Sequence, residues 1–245
     1  MSNKCTVNIL NLLGFIFLLY SSYLFCTNSN TLTGEQVSIL FRPAPYAFSI
    51  WGLIYIALFI WIVKGFLATP KESALYKDVG LWFFTCTLLT GLSVLVPLKV
   101  SSLFIIGALI SSLIVYNIND NSCLSEIYKL PFSLFCGWLS VATIVNISLF
   151  LKSIGFHSTM LINEIGWTVL VLIFATIIAI FFTLAKNDII SPLVFIWAYV
   201  AIMIENPTAV LLNRSIFIML LILLGVIIYA FFKKVSCKPC KLSKN

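Results

Sequence analysis

Arg42-Pro43-Ala44-Pro45-Tyr46-Ala47-Phe48-Ser49-Ile50-Trp51-Gly52-Leu53-Ile54-Tyr55 leads into an apolar run that continues to Val63. Two prolines one residue apart stop a helix and hold an extended approach, because each lacks an N–H and turns its predecessor away from α geometry. Past them, Tyr46, Phe48, Trp51 and Tyr55 place four aromatic rings within ten residues. About twenty apolar residues are enough for a helix to cross a bilayer. The aromatic mouth then reads in two ways: as the interfacial Trp/Tyr belt of that helix, or as the wall of a site for a flat apolar ligand.

Working outward, the whole chain repeats this composition. Of its 245 residues 61% are hydrophobic and 9% charged, whereas a soluble domain carries roughly a quarter charged residues. Such a chain cannot cover a soluble core, so the fold class expected is all-α: a polytopic integral membrane helix bundle. The net charge of +7 does not indicate nucleic acid, since the basic residues stand at the ends of apolar runs and five of the fifteen fall in the last thirteen residues. That distribution suits orientation signals and a tail lying near anionic lipid.

Eight apolar runs follow one another. They are Ile9–Phe25, Tyr46–Ala68, Val79–Val96, Val100–Ile118, Pro131–Leu151, Ile165–Ala185, Ile189–Ile204 and, roughly, Ser215–Phe232. The first has the outline of a secretory leader but is long for one and has no clear small-x-small cleavage site, so it reads as a transmembrane helix. Residues 27–41, 69–78, 119–130 and 205–214 read as connecting loops, and Pro131 as a first-turn proline. The seventh run has only sixteen residues, and charge arbitrates whether it crosses. With eight crossings and a cytoplasmic N-terminus, eleven basic residues lie inside (Lys4, Lys64, Lys71, Lys77, Lys129, Lys186 and five tail lysines) and four outside (Arg42, Lys99, Lys152, Arg214). The positive-inside rule selects that arrangement, with both termini cytoplasmic.

Conventional catalytic chemistry finds little support. Lys64, Lys99, Lys152, Glu164, Asp188 and Glu205 all sit at run ends, where anchoring is the plain reading, and His157, the one histidine, is in a loop. Glu205 in Glu-Asn-Pro is the best functional candidate among them. No nucleophile-elbow, phosphate-loop or zinc-protease motif occurs. Cys86 and Cys136 fall inside apolar runs, where cysteine behaves as a small hydrophobe. Cys237 and Cys240 have a spacing seen in metal, redox and palmitoylated pairs, with an inert tail as the plainer alternative. Asn146, deep in the fifth run, must find a partner on another helix or on a ligand. Trp138, Ala142 and Asn146 recur every four residues, which puts a flat aromatic, a small residue and an amide along one helix stripe.

Trp138-Leu-Ser-Val-Ala142-Thr-Ile-Val-Asn146 resembles the last-helix pattern of the TspO/MBR family, the tryptophan-rich sensory and translocator proteins. Pro43 to Tyr55 is similar to that family's proline-rich loop and the helix after it. The order of the five runs over residues 9–151 also fits. The Phe48–Trp51 interval is one residue shorter than in the family, and Thr90 and Ser93 stand about where it has Asn and Trp. The resemblance divides the chain into a five-helix core (1–152), three additional transmembrane helices (153–232) and a basic cytoplasmic tail (233–245). It implies a pocket under the first loop for a tetrapyrrole or sterol-like lipid, lined by Phe48, Trp51, Tyr55, Trp138, Ala142 and Asn146. The expected function is binding or sensing of that ligand and not catalysis, with an enzyme acting on a lipid or tetrapyrrole at Trp51 and Trp138 as the last-ranked reading, since the sequence supplies no nucleophile or base for it. The alternative is a small-solute transporter with its site near the short seventh run. Expected partners are membrane lipids and that ligand, not nucleic acid; a homodimer stays open. No metal or resident cofactor is expected, and a porphyrin or heme would enter as ligand.

Overall fold

A computed structural model describes residues 2–32, 39–122, 126–155 and 163–236. Its elements are α1 (Ser2–Leu32), a 3-10 turn (Pro45–Ser49), α2 (Ile50–Phe66), α3 (Pro70–Ser93), α4 (Leu98–Asn121), α5 (Glu126–Ser153), α6 (Glu164–Lys186), α7 (Ile190–Glu205) and α8 (Val210–Ser236). Every described element is helical. Six helices are long and apolar enough to cross a membrane: α1, α2, α4, α5, α6 and α8. The protein is therefore an integral multi-pass membrane bundle. α7 has sixteen residues, a rise of about 24 Å against a hydrocarbon thickness of about 30 Å. α3 has the length, but Glu72, Lys77 and Asp78 dilute its first half.

Several helices outrun their apolar segments, and local chemistry explains the first two cases. α1 continues past Phe25 into residues expected to be loop, and the Thr27 hydroxyl bonds back to the Tyr23 and Leu24 carbonyls. α3 starts nine residues before Val79. Thr69 and Glu72 form a capping box there, with Pro70 in the first turn, where a missing N–H does no harm. α5 likewise begins at Glu126, so Pro131 lies inside the helix instead of opening it. α8 begins at Val210, within the stretch expected to be a connection. His157, Cys237 and Cys240 lie outside the described residues.

α3 packs between α1 and α4, and α4 packs against α5. α2 leans on α5 and α1, while α7 is packed by α5, α6 and α8. The helices alternate in direction. Asn8 near the start of α1 donates to the Gly65 carbonyl near the end of α2 (2.8 Å). Tyr128 at the start of α5 donates to Glu72 at the start of α3 (2.5 Å). Lys129 joins Asp120 at the end of α4 (2.6 Å) to the Lys186 carbonyl at the end of α6 (3.2 Å). Lys64, Lys77, Lys129 and Lys186 thus share one end of the bundle. Arg42, Lys99, Lys152 and Arg214 lie at the other, with the proline loop.

A candidate ligand site beneath the proline loop

The Pro-Ala-Pro segment does what its chemistry dictates. Ala44, wedged between the prolines, is extended (φ −55°, ψ 148°), and the chain then tightens into the 3-10 turn. Ala47 is fully buried at the centre of this turn.

α7 holds the segment in place. The Ala44 N–H donates to the Ala201 carbonyl (3.1 Å). The Trp197 indole N–H donates to the Ala47 carbonyl (3.0 Å). The Asn206 amide donates to the Leu40 carbonyl (3.0 Å). Tyr46 adds an edge-to-face contact with Trp197 at 5.3 Å. Two loop carbonyls and one loop N–H are thus bonded to a helix some 150 residues away in the chain.

Four of the six expected site residues converge directly under this turn. Phe48 meets Trp138 edge-on at 5.8 Å. Trp51 meets Trp138 at 6.4 Å and 86°, and stacks on Tyr55 at 5.4 Å and 26°. Phe135 closes the group at 6.1 Å from Trp51. Edge-to-face and offset-stacked pairs are the geometries that ring quadrupoles favour. The Tyr55 hydroxyl is tied to Ser22 of α1 at 2.6 Å. Trp138 is 2% exposed, and its indole N–H has no hydrogen-bond partner. A buried donor is costly to leave unpaired, and a ligand bringing an acceptor would satisfy it.

Asn146 and Ala142 do not join these rings. Ser102 donates to the Asn146 carbonyl oxygen (2.6 Å), and the Asn146 amide donates to Ser101 (3.0 Å), so the side chain ties α5 to α4. The reason is helical drift: each four-residue step overshoots a turn by about 40°, so Asn146 lies about 80° round from Trp138 and about 12 Å along. Ala142 is half-buried between them. Thr90 and Ser93 bond back to their own helix, at the Cys86 and Thr90 carbonyls. Glu205 is exposed at the end of α7.

Trp197, Asn206 and Phe135 complete the site, and none of them is among the six residues expected from the sequence. Trp197 carried a signal, since it lies mid-run where a belt tryptophan should not. Nothing in the spacing of Asn206 or Phe135 marked them.

A concavity lies on another flank of the loop, away from the rings. It is a crevice of about 300 Å³, counting its open mouth, under Ile39 and Phe41 and between the end of α5 and the start of α6. Trp167 and Val171 give it an apolar wall, and the Lys152–Glu164 ion pair (2.6 Å) stands at its edge. None of the six expected residues lines it.

The sequence model of the family described as TSPO-like protein matches residues 6–232. The chain belongs to the TSPO-like family. The match extends across α6, α7 and most of α8 as well as the first five helices. No curated protein and no solved structure matches the chain.

Proposed function

We propose that this TSPO-like protein binds or senses a planar apolar ligand, a tetrapyrrole or sterol-like lipid, among Phe48, Trp51, Tyr55 and Trp138 beneath the proline loop. One observation carries the reading: the four rings meet under the clamped loop, and the buried N–H of one of them, Trp138, is unpaired. Flat rings supply stacking area, and a single buried donor supplies orientation, which is the usual economy of small-ligand sites. In this reading Trp138 gives the polar contact, and Asn146 keeps α4 and α5 together. The role is binding and not catalysis. A porphyrin or heme enters as ligand, lipids surround the bundle, and both termini face the cytoplasm.

The transporter alternative would draw support from a helix broken at mid-membrane with its half-ends facing a cavity. α7 instead runs unbroken from Ile190 to Glu205, and its last turns hold the loop.

Protoporphyrin titration of the purified protein tests the proposal, read by the shift of the porphyrin absorbance band and by tryptophan quenching. The expected result is saturable binding by the wild type, weakened at least tenfold in the Trp51→Phe plus Trp138→Phe variant. Absence of saturable binding by a folded wild type, or equal binding by the double variant, overturns it. Competition by a sterol then decides between the two ligand classes.

A further inference from the structure

The rings beneath the proline loop are packed against one another. A flat ligand lying between two rings needs about 7 Å between their faces, two contacts of about 3.5 Å each. Trp51 and Tyr55 instead stack at 5.4 Å, and Phe48 and Trp51 stand edge-on to Trp138 at 5.8 and 6.4 Å. The Trp138 N–H is buried, so a ligand's acceptor reaches it only when a neighbouring group moves.

The four rings differ in what holds them. Trp51 and Tyr55 stand one turn apart on α2, and Tyr55 is tied to Ser22 of α1. Trp138 is buried within α5. Phe48 is the one of the four that lies off the long helices, on the five-residue turn Pro45–Ser49, and it is 46% exposed. That turn has no side-chain cap. Ala44 and Ala47, its buried residues, are too small to anchor it by apolar area alone. Among the described residues, both hydrogen bonds from Ala44–Ser49 to another helix end on α7: the Ala44 N–H on the Ala201 carbonyl, and the Ala47 carbonyl on the Trp197 indole. Ala47 directly precedes Phe48, and Pro43 and Pro45 stiffen the chain on either side of Ala44. A shift of Phe48 away from Trp138 therefore pulls on both bonds. α7, packed by α5, α6 and α8, is held from three sides and does not follow.

We propose that a ligand entering the ring site displaces the Phe48 turn and releases it from α7, so that Trp197 sets ligand affinity from outside the site; this rests on the rings being where the ligand binds. Trp197 is a positioning residue, which touches no ligand and holds in place the wall that a ligand must move. The held form does not bind, so the apparent dissociation constant is the intrinsic one divided by the released fraction. The coupling is reciprocal: whatever frees the turn tightens binding, and whatever binds frees the turn. α7 is then the element that registers occupancy.

Two measurements on the full chain in detergent test this, with protoporphyrin as the probe. The first is hydrogen exchange at the Ala44 amide, which has no exchanging neighbour on either side because Pro43 and Pro45 carry no N–H. Saturating protoporphyrin is expected to speed that exchange at least fivefold in the wild type. The second is titration of Trp197→Phe, which is expected to bind about fivefold tighter than the wild type, the factor that one such hydrogen bond supplies. A residue that merely supported the site would do the reverse, since its loss would weaken binding. Ala44 exchange that stays the same or slows on binding overturns the coupling, and so does equal or weaker binding by a folded Trp197→Phe. If Trp197→Phe does not fold, the exchange measurement on the wild type decides. Saturable binding that the Trp51→Phe plus Trp138→Phe variant loses, with Ala44 exchange unmoved, keeps the ring site and rejects the coupling. No saturable binding by the folded wild type, or equal binding by that double variant, rejects both.

Discussion

Asn146 separates two roles that a polar residue inside a membrane helix can play. Replacing it with leucine removes both bonds to α4 while keeping the volume. Ser102 still has the Leu98 carbonyl as acceptor, so the expected loss is about 0.6–2 kcal/mol of stability. Unfolding in detergent measures that loss, and porphyrin affinity is expected to stay at the wild-type level. A fall in affinity without a fall in stability would return Asn146 to the ligand site. At this scale the sequence is a partial guide. It singles out Trp138 and Asn146, and the structure places Trp138 among the rings and gives Asn146 its partners on another helix. A four-residue spacing looks like one stripe over a single step and has rotated away after two.

Elements make the larger corrections. Thr69-Pro70-Lys71-Glu72 is a legible helix start, a capping box with a proline in its first turn, yet the charged side chains around it read as loop. Glu72 accepts from Thr69 and from Tyr128, and these bonds, Tyr128 first, hold its carboxyl down from the ordinary 4.5 to about 2. A carboxyl held low adds stability above its ordinary value, and that contribution is lost as pH falls from about 4.5 toward 2. Acid titration of the unfolding midpoint is expected to show the loss in the wild type and a flatter profile in Glu72→Gln.

The clamp between α7 and the proline loop has no sequence signature, since it joins Ala44 to Ala201 and Ala47 to Trp197 through contacts with no period. Trp197→Phe keeps the ring beside Tyr46 and removes the indole donor. About 1 kcal/mol lost from such a bond corresponds to roughly fivefold faster hydrogen exchange. The Ala44 amide is the place to look, because its bond to Ala201 opens with the loop.

For the whole molecule, direction alternates from helix to helix, and apolar runs with basic ends make that alternation legible in the sequence. In a cysteine-free background, Lys77→Cys and Lys129→Cys are expected to react with an impermeant maleimide from one side of sealed vesicles. Lys99→Cys and Arg214→Cys are expected to react from the other. Labelling of Arg214→Cys together with Lys129→Cys would mean that α7 does not cross. Run length alone leaves that open, because sixteen residues fall short of a span while the neighbours of α7 run its full length.

The seam of α1 against α3 has a consequence for how the chain is built. A Cβ on Gly14 would meet Thr87 at 2.5 Å, one on Gly80 would overlap Val7, and one on Gly91 would meet Phe17 at 2.7 Å. The two helices therefore approach through three missing side chains. α3 is the charged-headed helix, the long one that does not qualify as a span by its own apolarity. During synthesis it emerges after α1 and before α4, the two helices between which it finally lies. A nascent chain ending at Ser93 can hold α3 in lipid by this glycine seam and by the packing of Tyr76 and Phe83 on Trp61 of α2, and full retention waits for α4 to arrive on its other side. Integration of the first half is thus a cooperative event, and bulk added at Gly14 or Gly80 would appear first as a chain that inserts poorly.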